Sequence, residues 1–328
     1  MIEAIKSSWE KRPLIIILGL GFFFRMLAVI FSKGYGMSDD HFWVIEASQS
    51  WVDGYDYNDW LPSSGAKAPG GHSMFYAGIH YLIFLFLKWR GMTDPQTKMY
   101  IIRALNALWS MLTISFGYKI AEQFGGIKVA KQAGLILALL FFVPMLAVRD
   151  LVEMACIPAL VMGTWFLVDE KRQSSIKAYA LAGFMFGLAF DMRFQSLFFT
   201  GGVGLVLLVQ KQWKKIIVFT VIGFLTMFSA QGLIDIAIWH RPFAEFFAYV
   251  DYNLHNSYIY STGPWYQYLL LFAGVLLPPI SLFLLFGFGR SWKKYPMLFW
   301  PAFIFLVFHC IFPNKQERFV LPFVPFLV

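Results

Sequence analysis

The apolar residues of this 328-residue chain come in long blocks separated by short charged clusters. Ten blocks run roughly over 14–31, 73–87, 99–118, 133–148, 154–168, 178–190, 196–209, 216–238, 268–288 and 297–312. Another opens at Phe319 and reaches Val328 with no loop behind it, which predicts that the natural chain continues. Several blocks are shorter than the roughly 20 residues of a perpendicular membrane span. No internal repeat and no Gly/Ser-rich linker divides the sequence, so residues 1–328 read as one domain.

Lys and Arg in short loops mark the cytoplasmic side of such a chain. The N-terminus carries Lys6, Lys11 and Arg12. Four later loops are basic as well: Lys119, Lys128 and Lys131; Lys171, Arg172 and Lys177; Lys211, Lys214 and Lys215; and Arg290, Lys293 and Lys294. If every block crossed, all four would fall opposite the N-terminus. If 73–87 lies along the interface without crossing, all four fall on its side. That single change predicts an all-α polytopic membrane protein of about nine to ten transmembrane helices. Its first external loop, over 32–98, is long and holds interfacial helices, and a second large external loop covers 239–267.

Composition agrees. Hydrophobic residues make up 59% and charged residues 14%, with a mean hydropathy of +0.61, whereas a soluble domain carries about 25% charged residues. The net charge of +8 resides in the loop clusters, which is the positive-inside pattern and not a nucleic-acid-binding stripe. Cys156 and Cys310 both lie in apolar blocks, without disulfide or metal spacing. Lys11 and Arg12 precede the first block, but no small-residue cleavage site follows it, so it reads as a retained anchor.

The opposite set of loops has a different chemistry. It brings Asp39, Asp40 and Glu46; Arg149, Asp150 and Glu153; Asp191 and Arg193; His240, Arg241, Glu245 and Asp251; and Lys315, Glu317 and Arg318 to one face. Short spans around Asp150 and Asp191 set those residues below headgroup level, where a charge needs a partner or a wet cleft. A transporter should instead place charges near the midplane of broken, repeated helices. A lipid-linked-sugar flippase would share the basic loops without needing adjacent carboxylates in the first external loop.

Three segments resemble a known family. Met37-Ser38-Asp39-Asp40-His41-Phe42-Trp43, with Glu46 following, resembles the His-Pro-Asp-Glu-His-Phe opening of the family 22 mannosyltransferases. Asp235, Trp239 and Asn253, ending in Gly263-Pro264-Trp265-Tyr266-Gln267-Tyr268, are similar to a second stretch of that family. Phe312-Pro313-Asn314-Lys315-Gln316-Glu317-Arg318-Phe319 resembles its His-Lys-Glu-Glu-Arg-Phe box, with Asn314 in place of the histidine and Gln316 in place of the first glutamate. The resemblance implies a GT-C fold and a polyprenyl- or dolichyl-phosphate-mannose donor. It also implies transfer to a glycan or lipid-linked acceptor within the bilayer, with no cofactor and no divalent metal. The short loops look bacterial, which favours the bacterial inner membrane with a periplasmic site; in a eukaryote it would be the endoplasmic reticulum membrane with a luminal one.

Transfer from such a donor needs a carboxylate base for the acceptor hydroxyl and cations for the leaving phosphate, by an inverting displacement with one base. By the resemblance, Asp39 and Asp40 are the catalytic candidates, with Asp39 favoured as the base. Ser38 or Asp39 could equally cap a helix, a role compatible with catalysis. Arg193 and Arg318 are the expected phosphate ligands because a guanidinium binds phosphate oxygens in pairs, and Lys315 is a second point charge nearby. Glu46, seven residues after Asp39, shares its face on a continuous helix. Arg149 and Glu153 are spaced to pair with each other, and with Asp150, Glu317 and Tyr266 they complete the expected substrate-binding set. Arg25, inside the first block, is expected to snorkel or pair internally.

Overall fold

A computed structural model describes residues 9–34 and 41–328. Met37, Ser38, Asp39 and Asp40 lie outside the described residues. Among the described residues the fold is all-α, and pairing between extended segments is confined to an isolated bridge between Thr262 and Asn314.

The first helix, α1 (Pro13–Phe31), starts on proline, whose fixed φ and missing N–H suit a first turn. It buries a stripe at four-residue spacing through Ile17, Gly21, Arg25 and Val29, and leaves Phe22, Phe23, Phe24 and Phe31 outward. The segment His41–Glu46 winds as a π-helix into α2 (Ala47–Asp53), and α3 (Met74–Trp89) follows. Glu46 closes this π-wound turn, and Asp39, with which it was expected to share a face, lies outside the described residues. Lys88 near the end of α3 donates to the carbonyl of Val52 at 2.7 Å and lies 3.6 Å from Asp53, which ties α3 to α2. The outer side of α3 presents Leu82, Leu85, Phe86 and Trp89.

Helix α4 (Pro95–Leu139) has 45 residues. Straight, it would reach about 68 Å, twice a bilayer core. Gly126, with φ of 72°, breaks it where a side chain would be strained, and the two arms fold back on each other. Gly117 then meets Leu137, Gly134 meets Tyr118, and Gly21 of α1 packs against Ile114 of one arm and Ala138 of the other. The second arm ends at Leu139, short of the block expected to run to 148, and residues Val143–Leu146 form a separate short turn. Arg25 explains how that end is tolerated inside the protein. Its guanidinium donates to the carbonyls of Leu137 and Ala138 at 3.3 and 3.2 Å, two of the carbonyls a helix end leaves open, and to Ser110 Oγ at 2.8 Å.

The remaining helices are α5 (Val152–Val168), α6 (Ile176–Met192), α7 (Leu197–Val209), α8 (Trp213–Trp239, with a π-turn at Phe228–Gly232), α9 (Ala244–Asn256), α10 (Gln267–Val275), α11 (Ile280–Arg290) and α12 (Pro296–Ile311). Helix α5 is buried on nearly every side, among α4, α6, α12 and the 3-10 turn Glu317–Phe323. The largest core cluster runs from α5 and α6 through Phe199, Phe305 and Phe323. Among the described residues, α1, α4 and α8 are long and apolar enough to cross a membrane, and α3, α5, Phe194–Val209, α11 and α12 are shorter apolar helices.

Candidate active site

Several helices stop at one level, and their broken ends deliver the charged groups. Leu151 is extended and caps α5, so Glu153 falls in the first turn, where a negative charge complements the helix dipole. Arg193 is extended between the end of α6 and the next turn, and Gln316 is extended ahead of Arg318. Arg193 Nη1 pairs closely with Glu153 Oε1, and Arg318 Nε lies 3.8 Å from the same oxygen. Both guanidinium groups also approach the Phe319 ring, at 5.5 and 5.6 Å from its centroid. These three charges line a cavity of about 620 Å³ whose other wall comes from Trp43, Trp60, Gly70–Ser73 and α9. Two buried cations thus share one carboxylate beside an open space.

Two buried networks fix that second wall. In the first, Asp150 Oδ1 accepts from Tyr76 Oη at 2.6 Å and faces His80 Nε2 at 2.9 Å, while His80 Nδ1 faces the carbonyl of Tyr76 at 2.9 Å. Through these contacts His80 and Asp150 tie α3 to the bundle. In the second, Gln231 Oε1 accepts from the backbone N–H of Phe75 at 3.1 Å and its amide donates to Asp235 at 2.8 Å. Asp235 accepts from the N–H of Glu245 at 3.1 Å. Glu245 in turn accepts from the N–H groups of Gly71 and His72 at 2.6 and 3.1 Å and from Trp239 Nε1 at 2.8 Å. Burial nevertheless pushes the Glu245 carboxyl up to about 7. Gly71, at φ of 80°, lets the loop touch α9, because a Cβ there would stand 3.1 Å from the backbone of Tyr249.

The expected site residues separate on this geometry. Glu153, Arg193 and Arg318 meet at the cavity. Asp150 lies behind it, joined through Tyr76. The i, i+4 pair of Arg149 with Glu153 does not form, because Leu151 interrupts the helix between them. Arg149 instead donates to the carbonyls of Lys33 and Gly34 and so holds the chain that leads to residues 35–40. Lys315 is buried at the end of α12 and donates to the carbonyls of His309, Cys310 and Phe312; it caps the helix and does not line the cavity. Tyr266 and Glu317 are exposed outside the cavity lining, Tyr266 against Trp265. Glu46 is exposed too, and is close enough to His41 to influence its charge. The motif around Tyr266 contributes through Tyr268, whose hydroxyl exchanges two hydrogen bonds with the backbone of Gln316 and thereby sets Arg318. Among the described residues no three His, Cys, Asp or Glu side chains gather in a metal-binding arrangement.

Residues 16–328 match the family model of the Alg9-like mannosyltransferases. The chain belongs to that family. Of the residues that carry the resemblance in sequence, Asn253 and Arg318 line the cavity, and Asp235 and Trp239 connect to its wall through Glu245, which holds Gly71 and His72. No curated protein matches the chain in sequence. Its structure is similar to that of ArnT from Cupriavidus metallidurans bound to undecaprenyl phosphate, with a TM-score of 0.71 at 15% identity over 95% of this chain and 58% of ArnT. It is also similar to the apo state of the same ArnT, with a TM-score of 0.67 at 15% identity over 98% of this chain and 58% of ArnT. The chain therefore spans less than two thirds of these neighbours, and the likeness shows the GT-C fold.

Proposed function

We propose that the chain is a membrane glycosyltransferase that moves a hexose, with mannose favoured, from a polyprenyl-phosphate sugar to a glycan or lipid-linked acceptor. The observation that carries this reading is the pair Arg193 and Arg318 sharing Glu153 at the cavity wall. Two guanidinium groups converging at one cavity wall suit the phosphate that departs from the sugar. Family membership supplies the sugar chemistry, and the bound undecaprenyl phosphate of the ArnT neighbour supplies a precedent for the lipid. Asp39 or Asp40 accepts the proton of the acceptor hydroxyl, and no cofactor or metal enters. The reaction faces the non-cytoplasmic side in this reading, because the basic loops and the mixed-sign clusters fall on opposite faces when 73–87 does not cross; cysteines placed at Lys88 and Asp94 should then label from outside.

Arg318→Ala tests the phosphate site. Glu153 keeps Arg193 in this variant, so the unliganded protein should melt near the wild-type temperature. Stabilisation by added polyprenyl phosphate should be lost, at a cost of about 2–5 kcal/mol in binding. Undiminished stabilisation would show that the cavity does not hold the phosphate. Asp39→Asn should abolish transfer while leaving donor binding intact, and activity in both Asp39→Asn and Asp40→Asn would remove the base from the mechanism.

A further inference from the structure

The cavity has lining residues besides Glu153, Arg193 and Arg318. We infer that Trp43, with Tyr252, Tyr260, Asn253 and Asn314, forms a saccharide subsite that docks a neutral pyranose ring. This deepens the transferase reading and rests on it for the reaction served, but its argument comes from other residues.

Trp43 is 42% exposed although it lines the cavity. It is also braced. Trp60 is buried and stacked on His72, with centroids 4.4 Å apart and planes 15° apart. His72 meets Trp43 at 4.4 Å and 75°, and its backbone N–H is held by Glu245. Trp43 meets both rings near right angles, and among the described residues it stacks face to face on none. An open indole on a fixed platform is costly in water and useful against a flat apolar surface. The C–H face of a pyranose is such a surface, and its hydroxyls then project at the ring edge, where hydrogen-bonding groups are needed.

Those groups are present and uncharged. Tyr252 and Tyr260 are joined through their hydroxyls and line the same cavity. Asn253 is fixed by a 2.8 Å bond from Nδ2 to the carbonyl of Tyr249. Asn314 is 5% exposed, lines the cavity, and its Oδ1 has no hydrogen-bond partner among the described residues. A buried amide oxygen left unmatched is rare in a native protein, and a ligand hydroxyl would satisfy it. The bridge from Asn314 to Thr262 holds its backbone in place. A volume of about 620 Å³ falls within the ~300–1,000 Å³ usual for small-molecule sites. The competing role for Trp43 is as an interfacial anchor in the headgroup region.

The test uses the purified full chain in lipid nanodiscs and two separate probes. Methyl mannoside, glucoside, galactoside and arabinoside are titrated at millimolar concentration by saturation-transfer NMR, and polyprenyl phosphate is titrated by thermal shift. At least one pyranoside should show saturable transfer, reduced tenfold or more by Trp43→Ala and several-fold by Asn314→Ala. Asn314→Ala removes no hydrogen bond from Oδ1 and should leave the melting temperature unchanged, so it carries the test if Trp43→Ala fails to fold. Trp43→Phe should retain part of the signal. Absence of saturable transfer for every pyranoside, or equal transfer in wild type and Asn314→Ala, overturns the subsite. A wild type that binds pyranosides but not polyprenyl phosphate would overturn the donor reading alone and leave the saccharide subsite standing.

Discussion

Four of the buried cations among the described residues, Arg25, Lys315, Arg193 and Arg318, divide into two kinds. Arg25 and Lys315 each close a helix end: Arg25 takes carbonyls at the end of α4, and Lys315 takes those at the end of α12. Neither lines the cavity beside Glu153, and each is held chiefly by neutral backbone acceptors. Arg193 and Arg318 are held instead by one shared carboxylate at the cavity wall. A carbonyl fixes a cation without cancelling its charge, and when the partner is the end of the cation's own scaffold the result is structure. Two guanidinium groups that converge on one carboxylate stand instead at a cavity wall, where a ligand can reach them. Burial alone therefore does not mark a functional cation; its partners and the space beside it do.

The largest expected effect lies in the second kind. Arg193→Met strands Glu153 in the interior with only the more distant Arg318, and breaking a buried pair on one side typically costs about 3–5 kcal/mol. The double variant Arg193→Met with Glu153→Gln should recover most of that stability in a melting experiment, yet should not recover polyprenyl-phosphate binding. If the double variant binds like the wild type, the contrast between structural and ligand-facing cations collapses.

Arg25→Met should cost less, about 2–3 kcal/mol, through the uncovered carbonyls of Leu137 and Ala138. Lys315→Met should act in the same way at the end of α12. In both variants the shift per micromolar polyprenyl phosphate, measured on the folded fraction, should match the wild type. A selective loss of ligand response in Lys315→Met would move that lysine into the phosphate site, where the sequence placed it.

Much of this was legible because bilayers impose a coarse code. Apolar blocks, basic loops and mixed-sign clusters on one face were sufficient to expect helices throughout and to gather Glu153, Arg193 and Arg318. What they could not reveal was which partner each group finds. Lys315 and Arg318 stand three residues apart in one box, and only the end of α12 folding over Lys315 separates their roles. The break after Leu139 carries no glycine and is made tolerable by Arg25, more than a hundred residues earlier. Gln231 is itself uncharged, so a search for ionisable groups finds Asp235 in the same run and passes over Gln231. Trp60 and His72 gave no signal of the platform they form under Trp43, because their stacking depends on a loop closed by Glu245. The expected bases, Asp39 and Asp40, lie outside the described residues, so for them the sequence remains the argument.

The smallest effect separates two buried acids as the first comparison separated cations. Glu153 faces guanidinium groups, whereas Glu245 faces backbone N–H groups and one indole N–H, which stabilise its charge less than full counter-ions do. Burial wins at Glu245 and raises its carboxyl from an ordinary 4.5 to about 7. The folded protein then holds a proton that the unfolded chain releases above pH 4.5. Stability from this group is complete below that value, declines as pH rises toward about 7, and is flat beyond. Glu245→Gln removes the titration, so the difference between wild-type and variant melting temperatures should change across pH 4.5–7 and hold steady above it. A difference that stays constant through that window would mean that the Glu245 carboxyl titrates alike in the folded and unfolded chains. The three N–H donors would then outweigh burial, and Glu245 would hold the 71–73 loop as a full anion, as Glu153 holds its arginines.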